Sequence, residues 1–181
     1  MSQTENLEVI TLGGGCFWCT EAVFTRVKGV VKVEPGYSGG HSLNPTYAQV
    51  SRGDTGHAEV IQITFHPHEV SLTDLLKIFF MTHDPTTLNQ QGADFGTQYR
   101  SVIFYHKDQQ KKIIDSVIAE LSSKTIWDKP IVTQVEPIKM FYKAEEYHVE
   151  YFDRHRKQPY CQLVIVPKLE KLRTKFRDKA K

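Results

Sequence analysis

Leu7-Glu8-Val9-Ile10-Thr11-Leu12-Gly13-Gly14-Gly15-Cys16-Phe17-Trp18-Cys19-Thr20-Glu21-Ala22-Val23-Phe24 reads as a strand that stops at three glycines and restarts as a helix. Leu7, Val9, Ile10 and Leu12 supply the apolar run, and Thr20 to Phe24 a helix-like continuation. The glycines lift the steric limits on the backbone between them. A thiol at such a turn faces the unpaired N–H groups of the helix start, which favour thiolate over thiol. Cys16 therefore reads as an activated nucleophile, with Phe17 and Trp18 as walls of an apolar pocket beside it. Cys16-Phe17-Trp18-Cys19 is also a Cys-x-x-Cys. That spacing by itself allows a thiol–disulfide couple, half of a zinc site, or one nucleophile beside an incidental thiol.

Outward from this turn, apolar patterning alternates strands and helices with no repeat or linker. Strands are expected at 7–12, 29–36, 57–66, 99–105 and 131–138. A helix is expected at 71–83, where Leu72, Leu75, Leu76, Phe79 and Phe80 share one face and Ser71 with Asp74 forms a capping box. A second is expected at 108–122 on the stripe Ile113, Ile114, Val117, Ile118 and Leu121, and a shorter one at 144–155. Two stretches read as long, functional loops, Gly36 to Gly56 and His83 to Gln98. The basic segment Pro167 to Lys181 reads as a solvated helix packed on the surface. The architecture expected is α+β, a single domain spanning 1–181, with a mixed β-sheet covered by helices in two layers.

Composition narrows the class. A chain of 181 residues supports a core without disulfide or metal staples. The net charge of +2 argues against a dedicated nucleic-acid binder. No apolar run approaches the ~20 residues of a membrane span. Met1 to Asn6 carries neither a basic nor an apolar leader region, so a cytoplasmic location is expected. Only Cys16, Cys19 and Cys161 are present, too few for a disulfide framework but suited to redox or metal chemistry.

Other residues carry chemistry too. Cys161, in Gln158-Pro159-Tyr160-Cys161-Gln162, follows the last good helix in a setting that reads as flexible. That favours a resolving partner over a buried small hydrophobe, since disulfide exchange needs a thiol that can approach. Glu59 follows Gly53-Asp54-Thr55-Gly56-His57-Ala58 at the start of a buried strand, where desolvation would raise its pKa and keep it protonated as a general acid. Tyr47, in Asn44-Pro45-Thr46-Tyr47, and Tyr99, in Gly96-Thr97-Gln98-Tyr99-Arg100, stand beside strands. Taken singly, these three residues also fit ordinary core or rim positions. His57-x-Glu59 invites comparison with zinc deaminases. Their Pro-Cys-x-x-Cys, however, follows the His, whereas here the thiols precede it and Gly15 stands in the proline's place. No metal and no cofactor are expected.

Together these segments resemble the peptide methionine sulfoxide reductases of the A type over nearly the whole chain. The resemblance rests on Gly15-Cys16-Phe17-Trp18, Gly36-Tyr37, Asn44-Pro45-Thr46-Tyr47 and Thr55-Gly56-His57-Ala58-Glu59. It continues through His83-Asp84-Pro85-Thr86, Asp94 with Gly96-Thr97-Gln98-Tyr99-Arg100-Ser101, and Ala144-Glu145 with Tyr147-His148. It implies reduction of the S epimer of methionine sulfoxide, free or in proteins, by a monomer recycled by thioredoxin, with no nucleic acid or membrane involved. Cys16 would attack the sulfoxide sulfur and Glu59 protonate the departing oxygen, with Tyr47 and Tyr99 hydrogen-bonding that oxygen. Phe17 and Trp18 would hold the substrate methyl, and Asp94 and His148 would belong to the substrate-binding set. Cys161 matches the family's resolving position, with Cys19 as the alternative resolving thiol.

The chain also departs from the family pattern. Cys19 stands where many members have glycine, and Ala93 where asparagine is common. Tyr160 to Lys168 lacks the glycine-rich, two-cysteine ending of some members, which excludes a relay through two successive C-terminal thiols. Two rival classes are a thioredoxin-like disulfide oxidoreductase, which would leave Glu59, Tyr47 and Tyr99 idle, and a non-catalytic peptide-binding module, which would consume no reductant.

Overall fold

The computed structural model describes residues 6–181, so all but Asn6 of the N-terminal segment read for a leader lies outside the described residues. In chain order the elements are β1 (Glu8–Gly14), α1 (Phe17–Phe24), β2 (Val30–Ser38), α2 (Tyr47–Ser51), β3 (Ala58–Phe65), α3 (Leu72–Thr82) and β4 (Gln90–Gln91). They continue with β5 (Asp94–Phe95), β6 (Ser101–Tyr105), α4 (Asp108–Ser123), β7 (Gln134–Pro137), β8 (Phe141–Lys143), α5 (Tyr151–Arg154) and α6 (Val166–Lys175).

Six strands form one sheet in the order β7-β6-β1-β3-β2-β8, and β4 and β5 pair separately as a small hairpin. Only β6 and β7 run parallel; the other neighbours are antiparallel. The sheet is mixed for a plain reason. β6 reaches β7 through α4, the kind of crossover a parallel pair requires, while β2 and β3 pair antiparallel across the segment that holds α2.

Strand alternation sets the layers. Ile10, Leu12, Ile61, Ile63, Phe65 and Ile103 turn one face into the main core, which α3 and α4 complete. The opposite face carries a smaller cluster of Ala58, Val60, Val102 and Phe104, flanked by Ile138 and Phe141. Glu59 is in phase with Ile61 and Ile63, so its carboxyl belongs to the helix-covered side. Helix α3 begins as expected: Ser71 Oγ accepts from Asp74 N at 3.0 Å and Asp74 accepts in return from Ser71 N. The α+β, two-layer expectation holds, and no helix among the described residues is long and apolar enough to cross a membrane.

Several boundaries differ from expectation. The Gly36–Gly56 stretch contains α2, started by a second capping box between Thr46 and Gln49. The His83–Gln98 stretch contains the β4–β5 hairpin. The strand expected at 131–138 shrinks to Gln134–Pro137 because Val132 N–H is diverted to Pro85 O. The one expected at 99–105 begins at Ser101, since Thr97–Tyr99 is a 3-10 turn. The helix expected at 144–155 is broken by Glu150, whose φ of 55° is left-handed. A 3-10 turn (Glu146–His148) and the four-residue α5 stand in its place.

The basic C-terminal segment does form a helix, α6, which buries Leu172. Beyond α6, Lys181 Nζ donates to Thr25 O at 3.0 Å, satisfying a free carbonyl at the end of α1.

Candidate active site

Two glycines of the opening stretch are dictated by their neighbours. A Cβ on Gly14 would lie 2.9 Å from the Phe79 ring and 3.2 Å from His83. Gly15 has φ +92° and a Cβ there would sit 2.6 Å from the Gln91 side chain. The chain thus passes tightly over α3 before turning into α1. His83 is locked beneath it, with Nδ1 against Phe79 O and Nε2 on Ser101 Oγ at 2.7 Å, and burial drives its pKa down to about 3. This is the structural work of the His83-Asp84 motif.

Cys16 occupies the N-cap of α1 without a side-chain cap. The first free N–H of the helix, that of Phe17, donates to Glu59 Oε1 at 3.1 Å. The other carboxyl oxygen, Oε2, is buried and has no hydrogen-bond partner among the described residues. Burial is the main cause that lifts the Glu59 pKa to about 8, so the group is largely a neutral acid at pH 7. Burial likewise pushes the Cys16 thiol well above its ordinary range, with a hydrogen bond to Cys19 and the nearby Glu59 adding to it. The helix-start N–H of Trp18 works in the opposite direction but loses. Burial of Cys16, 7 % exposed as a residue, thus opposes the thiolate that the helix-start N–H groups favour.

Tyr47 and Tyr99 are half-buried and both sense Glu59 and Cys16. Burial pushes the Tyr47 phenol up to about 12 and the Tyr99 phenol up as well, so both remain O–H donors. Glu145 positions Tyr47: Oε2 accepts from Tyr47 N and Oε1 from Tyr37 O–H, each at 2.8 Å.

The aromatic pair divides its work. Phe17 is fully buried, with ring centroids of His148, Tyr37 and Tyr47 at 5.0, 5.7 and 6.3 Å. Trp18 is the half-buried member. Its ring stacks on Tyr151 at 3.7 Å and 6°, meets Tyr160 edge-on at 6.1 Å, and its Nε1 donates to His148 Nδ1 at 3.0 Å. His148 is itself 0 % exposed, so it holds Trp18 from behind.

The three thiols are all free and buried, and they share one cluster with Ala22, Phe152 and Ile165. A thiol–thiol interaction between Cys16 and Cys19 favours ionisation of Cys19 and disfavours that of Cys16. Cys161 is fully buried in a π-helical turn (Cys161–Ile165) that leads into α6, a regular setting in place of the flexible one expected. The charge it senses is that of Cys19. Tyr160, one residue earlier, reaches both Cys19 Sγ at 3.5 Å and Asp94 Oδ2 at 2.9 Å. Lys168, with Nζ donating to Thr82 O at 2.7 Å, places a positive charge near Cys19 and Asp94.

Cys16, Cys19, Glu59, Tyr47 and Tyr99 thus converge as the sequence predicts, and Asp94 joins through Tyr160. Sequence reading gave no role to Tyr160 or Lys168. The one available signal was Tyr160's adjacency to Cys161. His57, the residue that invited a metal comparison, is spent on structure: Nδ1 accepts from Gly40 N and Nε2 faces Ser42 O at 2.7 Å.

A buried thiol near a neutral carboxylic acid, with phenol donors alongside, is an arrangement suited to an oxidoreductase. The sequence profile of the peptide methionine sulfoxide reductases matches residues 8–180. The chain is 55% identical over 175 residues to the peptide methionine sulfoxide reductase MsrA of Saccharolobus solfataricus, covering 97% of this chain and 98% of that one. Among solved structures, reduced Mxr1 from Saccharomyces cerevisiae superposes with a TM-score of 0.79 at 38% identity, covering 89% of this chain and 92% of that one. Mxr1 in complex with Trx2 gives 0.56 at 29% identity, covering 83% and 88%. The chain belongs to the peptide methionine sulfoxide reductase family, and within it to the A type.

Proposed function

We propose that the enzyme reduces the S epimer of methionine sulfoxide, in proteins or free, through a sulfenic acid on Cys16 and an intramolecular disulfide recycled by thioredoxin. The observation that carries this reading is the unpartnered Glu59 Oε2. A sulfoxide oxygen is a poor leaving group until it is protonated. A buried, neutral carboxyl beside a thiol is the donor such a substrate requires. Tyr47 and Tyr99 add two O–H donors where charge develops on that oxygen, each worth about 3 kcal/mol to the transition state. Trp18, backed by Phe17, holds the methyl, and this asymmetry selects one epimer.

Cys16 attacks the sulfoxide sulfur as Glu59 protonates the oxygen. The oxygen passes to Cys16 as S–OH and the substrate leaves as methionine. The proton lost from the Cys16 thiol restores Glu59, so the step is proton-neutral. The second thiol displaces water and closes a disulfide. The interaction between the Cys16 and Cys19 thiols supports Cys19 as that thiol, although Cys161 lies in the same buried cluster. The yeast relative solved with Trx2 supports thioredoxin as the reductant. Three free thiols fit a reducing compartment such as the cytoplasm.

The test is consumption of dithiothreitol with each epimer of methionine sulfoxide supplied separately. Turnover confined to the S form supports the reading. Equal turnover of both, or insulin disulfide reduction without sulfoxide turnover, overturns it.

A further inference from the structure

We propose that Tyr160 and Asp94 form a proton path that deprotonates Cys19 as it attacks the sulfenic acid on Cys16. The proposal rests on Cys19 being the resolving thiol.

The geometry is directional. A phenol has one proton to give, and Tyr160 gives it to Asp94 Oδ2 at 2.9 Å. Its oxygen is then an acceptor, and the group at 3.5 Å from it is the Cys19 sulfur. The chain of hydrogen bonds therefore runs from Cys19 S–H through the Tyr160 hydroxyl to the Asp94 carboxylate. Cys19 is only 3 % exposed, so bulk water has poor access to the thiol proton. Tyr160 is also held in place, with its ring edge-on to Trp18 and its backbone leading the π-helical turn.

The need for such a path arises only after the first chemical step. In the reduced enzyme the largest influence favouring ionised Cys19 is its hydrogen bond with the Cys16 thiol. That thiol hydrogen is gone once Cys16 carries oxygen. Burial and the Asp94 charge then oppose ionisation of Cys19, and the Tyr160 hydrogen bond and the Lys168 charge are what still favour it. The titratable groups around Cys19 are Cys16 on its own helix, Glu59 on β3, Asp94 on β5, Tyr160 and Cys161 on the C-terminal turn, and Lys168 on α6. Among them Tyr160 alone hydrogen-bonds both the thiol and a carboxylate.

The step balances as Cys16–S–OH plus Cys19–SH giving Cys16–S–S–Cys19 and water. The S–S bond forms as the S–O bond breaks, so the sulfenic sulfur is reduced and the Cys19 sulfur is oxidised. The Cys19 proton moves to the Tyr160 oxygen while the Tyr160 proton moves to Asp94. The leaving hydroxide takes a proton from Glu59. Asp94 afterwards loses its proton to solvent and Glu59 regains one.

The test generates the sulfenic acid with one equivalent of hydrogen peroxide, so the step is read whether or not a sulfoxide is the substrate. The rate of sulfenic acid loss is followed by timed dimedone trapping, and the product is located by peptide mapping. In Tyr160→Phe, which keeps the ring against Trp18, the rate at pH 6.5 should fall on the order of a hundredfold. The deficit should narrow as pH rises and Cys19 ionises unaided. Asp94→Asn, whose amide takes no proton, should do the same. A fall of less than about tenfold in Tyr160→Phe, or a deficit independent of pH, overturns the proposal while leaving sulfoxide reduction intact. A Cys16–Cys161 bridge in the wild-type product overturns both this proposal and the choice of Cys19.

Discussion

The thiols sit in two regions of opposite character. Gly13 to Cys19 is shaped by its immediate sequence: a strand, a turn that requires glycine at φ +92°, and a helix that opens on the nucleophile. Tyr160 to Ile165 is shaped by what is packed around it, a π-helical turn whose buried side chains meet α1 and whose Tyr160 reaches Asp94 on the β4–β5 hairpin. In the proposed mechanism the first region would start the reaction, and the second would supply a hydroxyl to the thiol that finishes it. Local sequence constrains the first strongly and the second hardly at all.

The largest expected effect tests the first region alone. Cys16→Ser should cut sulfoxide reduction by about a thousandfold or more, since a serine hydroxyl is a far weaker nucleophile than a thiol. Wild-type activity in that variant would break the comparison outright. Next, Cys19→Ser should yield one methionine per enzyme and then stall as a sulfenic acid, while thioredoxin-driven turnover in Cys161→Ser should exceed it by about tenfold or more. The reverse order would move the resolving step to the second region.

Stability sharpens the contrast further. Gly15→Ala forces an L side chain into a left-handed conformation against Gln91 and should cost about 1–2 kcal/mol in urea unfolding. Leu163→Ala, at a side chain 77 % exposed on the C-terminal turn, should stay within about 0.5 kcal/mol.

The smallest effect concerns Glu21, on α1 beyond the first region. Its Oε2 accepts from Glu150 N at 3.1 Å, and burial raises its pKa from 4.5 to about 7. A carboxyl raised on folding contributes its full stability below about pH 4.5 and loses it as pH rises through 7. Glu21→Gln should therefore flatten part of the decline in melting temperature between pH 5 and 8. An unchanged slope would show that this carboxyl does not stay neutral on folding.

What the sequence made legible follows the same division. The strand–glycine–helix turn, the capping box of α3 and the place of Glu59 at the start of a buried strand are local patterns, and each reappears in the structure. The break at Glu150 was hidden because a left-handed non-glycine residue has no simple sequence mark. Cys161 read as mobile because its neighbours are polar, yet burial there is imposed by α1 and Phe152. Tyr160 was missed because its partners lie 141 and 66 residues away in the chain. At Cys16 the helix-start N–H groups are visible in the sequence, whereas the opposing cost of desolvation is not.

The central claim is that Glu59 is the neutral acid that makes the sulfoxide oxygen a leaving group. Single-turnover methionine formation from the S-sulfoxide, followed from pH 6 to 9.5 in the wild type and in Glu59→Gln, tests it most directly. The account predicts a wild-type rate that falls as pH rises through about 8, as Glu59 loses its proton. In Glu59→Gln the rate should be about a hundredfold lower or less, without that fall. A Glu59→Gln rate equal to wild type, with the same pH profile, would contradict it.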